Sequence, residues 1–204
     1  MPQIRSSRAG LTIAEVLVAS SVLMLLFGAI SLIYYSGSQV WRKVDLRTSL
    51  LRELQVAARY IERGVEVSHP YGLTRAENAL AYLSATDDDN ELSFDSEGRP
   101  NWTKFVLVYI DDEDRLRQRE LPLDPVKSQP PSFKDEMGVT FESFLSTMEP
   151  AGRYLTHSGK VTALALENAG NYGSLFELRI EAEQMKNSTE KEILEIRTKL
   201  SIRN

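Results

Sequence analysis

The longest apolar segment of the chain lies near its amino terminus, from Val16 to Tyr35, where twenty residues include no charge and no proline. A helix rises about 1.5 Å per residue, so such a segment spans the roughly 30 Å of hydrocarbon in a bilayer. A secretory signal peptide is the alternative, but its apolar region is only about 7 to 15 residues long and precedes a small-residue cleavage site, which is missing here. The pattern therefore predicts a transmembrane helix over residues 16–35.

Beyond the apolar segment, the pattern becomes that of an amphipathic helix. Apolar residues recur at steps of three and four between Leu50 and Val65, with charged residues such as Arg52, Arg59 and Glu62 between them. Gly64 is a candidate helix stop, since glycine readily adopts the left-handed conformation that ends helices. We therefore predict one long helix over residues 11–64, following a leader of residues 1–10.

The remaining residues, 65–204, predict a β-rich globular domain, because short apolar runs alternate with turn residues and no further helical periodicity is evident. The candidate strands are residues 92–94, 105–110, 116–121, 139–144, 161–166, 176–183 and 194–203. The last two show the clearest alternation of apolar and charged positions, which is typical of half-buried antiparallel strands. The predicted fold class is α+β, with the long amino-terminal helix packed on an antiparallel sheet.

Two loops in this domain have distinctive compositions. Pro122, Pro125, Pro130 and Pro131 predict an exposed loop, since proline neither donates to a strand ladder nor continues a helix. The acidic run 111–114 lies between two candidate strands and predicts a hairpin turn. Acid–base chemistry by paired carboxylates needs contrasting burial, which an exposed turn does not supply, so a structural role is favoured.

Glu15 is the single charged residue close to the start of the apolar segment. A carboxylate inside the hydrocarbon costs about 2.5 to 3.5 kcal/mol, so such a residue implies a partner or a function. The alternative is that Glu15 lies at the level of the lipid headgroups, one residue before the apolar run. Its position alone leaves both interpretations open.

The residues around Glu15 resemble the processing site of type IV prepilins. Gly10 is followed by Leu11 and Thr12, Glu15 is the fifth residue after the glycine, and the preceding leader contains Arg5 and Arg8. The resemblance implies that prepilin peptidase cleaves after Gly10, that Leu11 becomes the N-methylated first residue, and that Glu15 serves in filament assembly. Phenylalanine is more usual than leucine at the first mature position in this family.

Within that family the chain is most similar to minor pseudopilins of the J type in type II secretion, and a pilin-like fold is implied. This similarity lies in residues 50–55, 60–63 and 202–204, and in the predicted hairpin with its acidic turn, Leu116 and Arg119. The mid-helix proline of major pilins and of the major pseudopilin is missing, since Leu32 occupies its place, which favours a minor subunit. Glu15 distinguishes the chain from the K-type tip subunit, which lacks this glutamate.

Composition excludes several other classes. The net charge of −5 argues against a nucleic-acid partner, and a chain without cysteine has no disulfide, thiolate metal site or cysteine nucleophile. The positive charges flanking the apolar segment are nearly balanced, so the positive-inside rule does not settle its orientation. The resemblance instead implies a cytoplasmic amino terminus before assembly, a single pass through the inner membrane and an extracytoplasmic globular domain.

No catalytic motif is evident, so the chain is predicted not to be an enzyme and to need no cofactor. The aspartate run at residues 87–90 offers the oxygen ligands that calcium prefers, but it lacks the spacing of a calcium loop, and a solvated loop is favoured. His69 and His157 have no companion at ligand spacing and are predicted to be ordinary surface residues.

Two functions from different classes follow. The first is a structural minor subunit of a bacterial pilus-like filament, whose partners are prepilin peptidase and other pilins or pseudopilins contacted through the amino-terminal helix. It would act in type II secretion or in pilus assembly. The alternative is a membrane-anchored extracytoplasmic binding protein or enzyme that uses the helix as a plain signal anchor.

Overall fold

A computed structural model describes residues 12–87, 91–169, 175–185 and 191–202. The elements in chain order are α1 (Ile13–Glu66), β1 (Thr74–Ala76), β2 (Ala79–Ser84), β3 (Trp102–Ile110), β4 (Leu116–Lys127), α2 (Phe133–Met137), α3 (Phe141–Thr147), β5 (Arg153–Tyr154), β6 (Lys160–Asn168), β7 (Leu175–Met185) and β8 (Lys191–Ser201). The chain divides into two units, Met1–Asp45 and Leu46–Asn204, and the division falls within α1.

The second unit contains two antiparallel sheets. The first has the strand order β1-β2-β3-β4-β5, and the second has the order β6-β7-β8. Neighbours in each sheet follow one another along the chain, and α2 and α3 lie in the connection from β4 to β5. This α+β arrangement of a long amino-terminal helix and antiparallel sheets confirms the predicted fold class and is consistent with a pilin-like fold.

The carboxyl-terminal part of α1 packs on both sheets through the stripe seen in the sequence. Its buried residues are Leu50, Leu54, Ala57, Ala58, Ile61 and Val65. They share one core with alternate residues of the strands, including Leu80 and Val108 in the first sheet and Leu178 and Ile180 in the second. This core explains why residues 50–65 repeat at helical spacing while the two last strands alternate with period two.

The first sheet also has a second covered face. Ala81, Phe105 and Leu107 point away from α1 and pack against α2 and α3, where the ring of Phe133 lies 5.2 Å from Phe105 and 5.0 Å from Phe141 between centroids. Strand β3 is therefore buried on both faces, which explains why its sequence is a continuous apolar run instead of an alternating one.

The strand predicted at residues 139–144 is wrong, because this segment contains the start of helix α3. Thr140 caps the helix by accepting a hydrogen bond from the Ser143 amide, and Ser132 caps α2 in the same way through the Asp135 amide. Gly138, in the left-handed conformation, ends α2. Two short capped helices thus cover the sheet where a strand was expected.

Three smaller expectations also differ from the structure. Residues 92–94 form only isolated bridges instead of a strand. Pro122 and Pro125 lie within β4 instead of in a loop, and Pro125 falls where the register between β3 and β4 shifts, which is a place where a sheet tolerates proline. Gly64 does not end α1; it lies two residues before the end, where a Cβ atom would be 2.4 Å from the Tyr82 hydroxyl.

Glu53 of α1 anchors the loop that precedes β6. Its carboxylate accepts hydrogen bonds from the His157 amide at 2.7 Å, the Ser158 amide at 2.8 Å and the Ser158 hydroxyl at 2.8 Å. Partial burial alone would raise the pKa of Glu53, but these donors outweigh it and hold the pKa below its ordinary value. The ionised carboxylate is therefore the form that stabilises the fold.

We expect Glu53→Gln to lower the free energy of unfolding by about 1 to 2 kcal/mol at pH 7. Because the folded pKa is lowered, this contribution is present above the ordinary carboxylate pKa of about 4.3 and is lost as the pH falls through the folded value. Denaturant unfolding of the full chain in detergent at pH 7 and pH 3 measures the difference.

The matched control is Glu62→Gln on the same helix, since the Glu62 side chain makes no hydrogen bond or ion pair with the described residues. It should change stability by less than about 0.5 kcal/mol at either pH. A cost of Glu53→Gln that does not shrink at pH 3 would contradict the assigned role of the charge.

Candidate functional site

The amino-terminal part of α1 has an apolar surface that the rest of the described chain does not cover. None of the residues in its most apolar stretch is buried, and side chains such as Leu25, Leu32 and Ile33 are more than two-thirds exposed. The core helix of a soluble protein would be mostly buried, so this helix is not of that kind. Among the described residues, α1 is the one helix long and apolar enough to span a membrane.

Three serine hydroxyls in and directly after this stretch, those of Ser20, Ser21 and Ser36, are satisfied within the helix. The hydroxyls of Ser20 and Ser21 both donate to the Leu17 carbonyl, at 3.0 and 2.8 Å, and Ser36 donates to the Ile33 carbonyl at 3.0 Å. A hydroxyl that is bonded to its own helix costs little in hydrocarbon, because no donor is left unpaired. The serines are therefore compatible with a lipid environment.

Glu15 forms a capping box with Thr12 at the start of α1. The Glu15 carboxylate accepts hydrogen bonds from the Thr12 amide and hydroxyl, both at 2.9 Å, and the Glu15 amide donates to the Thr12 hydroxyl at 3.3 Å. This arrangement satisfies amides that lack partners in the first helical turn. A carboxylate at this position also interacts favourably with the positive end of the helix dipole.

The capping box leaves part of the Glu15 carboxylate free for another partner. Both hydrogen bonds from Thr12 reach the same oxygen, Oε2, and Oε1 accepts none from the residues that the structure describes. The side chain is exposed, directly before the apolar stretch. One carboxylate can therefore hold the helix start and also face a cation from a neighbouring molecule.

Thr12 contributes to this capping box, although no role was predicted for it from the sequence. The signal was present, since threonine followed three residues later by glutamate before an apolar run is the sequence signature of a capping box. The two other residues of the predicted site, Gly10 and Leu11, lie outside the described residues, so cleavage after Gly10 and methylation of Leu11 remain predictions.

The acidic turn between β3 and β4 differs from the exposed turn that was expected. The Asp111 side chain is only 2% exposed, whereas that of Glu113 is 66% exposed. Asp111 accepts hydrogen bonds from the Glu113 amide at 3.0 Å, the Arg115 amide at 2.9 Å and the Arg117 guanidinium. The bond to Asp111 raises the pKa of Arg117 further above its ordinary value.

This turn nevertheless has a structural role, because Asp111 is fully engaged within the hairpin. The guanidinium carbons of Arg115 and Arg117 lie 4.1 and 4.0 Å from the centroid of the Tyr154 ring, which brings β5 against the hairpin. Asp114 accepts a hydrogen bond from Lys160 at 2.7 Å at the start of β6. The network joins three segments and leaves Asp111 unavailable to a substrate.

Metal-ligating side chains do not gather elsewhere in the described ranges. No group of three or more His, Asp or Glu residues is placed to hold a metal ion there, and Asp88, Asp89 and Asn90 of the candidate calcium loop lie outside those ranges. The Nδ1 atom of His69 accepts a hydrogen bond from the Tyr71 amide at 3.3 Å, and the ring of His157 lies against Tyr154. Both histidines thus have structural contacts.

Comparison with known proteins adds no relative: no family model, no curated protein and no solved structure matches this chain.

Proposed function

We propose that this protein is a minor subunit of a bacterial pilus-like filament, anchored in the inner membrane by α1 until assembly. In this proposal, prepilin peptidase removes residues 1–10, and the helix beginning at Leu11 joins neighbouring pilins or pseudopilins. The globular domain lies outside the cytoplasm. The filament acts in type II secretion or in pilus assembly.

The observation that carries the proposal is an uncovered apolar helix with a carboxylate at its start. A plain anchor needs only apolar residues and headgroup anchors, and an acidic side chain next to the hydrocarbon makes its insertion less favourable. Glu15 is supported by Thr12 and retains a free oxygen, so it is held in position to receive a cation. The mature, methylated amine of a neighbouring subunit is the cation that the prepilin resemblance implies.

The length of the exposed apolar surface on α1 also supports this proposal. Exposed apolar side chains continue past the twenty-residue span to Val40, Trp41, Val44 and Leu46. A membrane span needs about twenty residues, so these four lie beyond what lipid alone requires. A large number of exposed apolar side chains is typical of surfaces that contact another protein or a membrane.

The alternative is a membrane-anchored binding protein or enzyme. Nothing in the described part of the chain resembles a catalytic set, since Asp111 is engaged in the hairpin and the histidines have structural contacts. The alternative accounts for the apolar helix, but it leaves Glu15 as a helix cap only and gives no function to the sequence Gly10-Leu11.

We expect the globular domain to be accessible from outside the cytoplasm. The natural chain has no cysteine, so a single Ser96→Cys change in an exposed loop gives one reactive thiol. A membrane-impermeant maleimide should label it equally in intact spheroplasts and after lysis. Labelling that appears only after lysis would place the domain in the cytoplasm and exclude the proposed topology.

A further inference from the structure

A groove of about 620 Å³ opens on the α1-facing side of the first sheet. Tyr60, Arg63 and Gly64 of α1 form one wall, and Tyr82 of β2 and Lys104 of β3 lie on the floor. The groove lies entirely within the second unit of the chain. Its volume is within the range of sites that hold small ligands or short peptide segments.

The floor of the groove contains an ordered polar network in a sheet face that is otherwise apolar. Lys104, 9% exposed, bonds Glu120 at 2.8 Å, and Glu120 also accepts from the Gln118 amide group at 3.1 Å. The Gln118 side-chain oxygen accepts two hydrogen bonds from Arg153, at 2.9 and 2.7 Å. The Arg153 guanidinium lies over the ring of Tyr60, 4.8 Å from its centroid.

Tyr82 is the unusual member of this floor. It is 1% exposed, and its hydroxyl has no partner in full hydrogen-bond geometry among the described residues, although the Tyr60 side chain interacts with it. Burial, and then the neighbouring Tyr60, raises the pKa of Tyr82 well above its ordinary value, so the hydroxyl keeps its proton at neutral pH. A buried donor without an acceptor is unfavourable, and phenylalanine would fill the same space without this cost.

The unsatisfied groups that line the groove are mainly donors. Both carboxylate oxygens of Glu120 already accept hydrogen bonds, whereas Lys104 has used one of its three donors. The Arg63 side chain makes no ion pair or hydrogen bond with the described part of the chain, and Glu66 is the remaining acidic residue of the lining. A ligand that supplies a carboxylate would therefore complement the groove.

The rest of the lining is apolar, through Val67, Leu92 and Val106 together with the ring of Tyr60. A small carboxylate would meet the donors and leave these side chains in water. An extended peptide presents alternate side chains to a surface, so one acidic and one apolar side chain of the same segment can meet both regions.

We propose that this groove binds an extended segment of a partner protein, with an acidic side chain meeting Tyr82, Lys104 and Arg63 and an apolar neighbour packing on Val106. The site lies entirely within the unit Leu46–Asn204, so it stands independently of how the amino-terminal part of α1 is processed or assembled. Binding gives the Tyr82 hydroxyl an acceptor in hydrogen-bond geometry that the described residues do not supply.

The test is selection of random nine-residue peptides displayed on phage against the full-length protein in lipid nanodiscs, after removal of phage that bind empty nanodiscs. We expect the enriched peptides to contain Asp or Glu beside an apolar residue. Synthetic copies should bind at least tenfold more weakly to Arg63→Gln and to Tyr82→Phe. They should bind equally to Arg59→Gln, which removes a charge one turn earlier on α1 and outside the groove.

The choice of variants distinguishes a loss of peptide binding from a loss of folding. Tyr82→Phe deletes only an oxygen that has no partner in full hydrogen-bond geometry among the described residues, so its melting temperature should equal or exceed that of the natural protein. The proposal is overturned if no peptide is enriched, if the enriched peptides lack acidic residues, or if they bind the Arg63 and Tyr82 variants as tightly as the natural chain. Competition by free glutarate at the affinity of the peptides would make this a small-carboxylate site and would overturn it as well.

Discussion

Replacing Glu15 by leucine should prevent the chain from joining neighbouring subunits while leaving membrane insertion intact. Removal of one partner from a desolvated charge pair costs roughly 3 to 5 kcal/mol, partly because the other charge is left without a partner. A loss of that size approaches a thousandfold in association. Leucine is also easier to insert than glutamate, so assembly should fail at normal levels of the protein in the membrane.

Glu15→Gln separates the two roles of this side chain. Glutamine can complete a capping box with Thr12, but it carries no charge to attract an ammonium group. We expect Glu15→Gln to lose recovery of neighbouring subunits in pull-down from membranes nearly as completely as Glu15→Leu. Recovery restored by glutamine would reduce Glu15 to a helix cap, and undiminished recovery with leucine would remove the proposed mechanism.

Replacing Asp111 by alanine should have the largest effect on the stability of the globular domain. The change removes the acceptor of two backbone amides and leaves the guanidinium of Arg117, whose side chain is 14% exposed, without its carboxylate. We expect the free energy of unfolding to fall by roughly 3 to 5 kcal/mol. Denaturant unfolding of the full chain in detergent, followed by near-ultraviolet circular dichroism, measures this loss.

Two neighbouring variants define what Asp111 contributes. Asp111→Asn keeps an oxygen for the amides but removes the charge, so an intermediate loss of about 1 to 3 kcal/mol is expected. Asp112→Ala changes the exposed residue next to it and should cost less than about 0.5 kcal/mol. Equal effects at positions 111 and 112 would show that the burial of Asp111 has no energetic consequence.

The sequence was sufficient to predict those elements whose periodicity reflects one extensive buried face. One buried face produces the apolar stripe from Leu50 to Val65, and one buried face produces the alternation in β7 and β8. The structure confirms both elements. The hairpin of β3 and β4 was also predicted, because two strongly apolar runs enclose an acidic turn.

The short helices α2 and α3 were missed because five and seven residues are too few to show a helical period. Their signals were local caps at Ser132, Gly138 and Thr140. The apolar run of β3 also implied that something covers the second face of the sheet, and these two helices provide that cover.

The burial of Asp111 and the groove at Tyr82 could not be predicted from local patterns. The Tyr154 ring reaches Arg117 across 37 positions of sequence, and the groove combines side chains of α1, β2, β3, β4 and β5. The capping box at the amino terminus, by contrast, could be predicted from the sequence, because Thr12 and Glu15 are only three residues apart.

The mass of the mature chain tests the central claim most directly, because the prepilin interpretation specifies both its first residue and a modification. Intact and amino-terminal mass spectrometry of the protein purified from its native membrane should show a chain that begins at Leu11 and carries one additional methyl group on its amine. A chain that retains residues 1–10, or one that is cut after the apolar helix, would contradict the account.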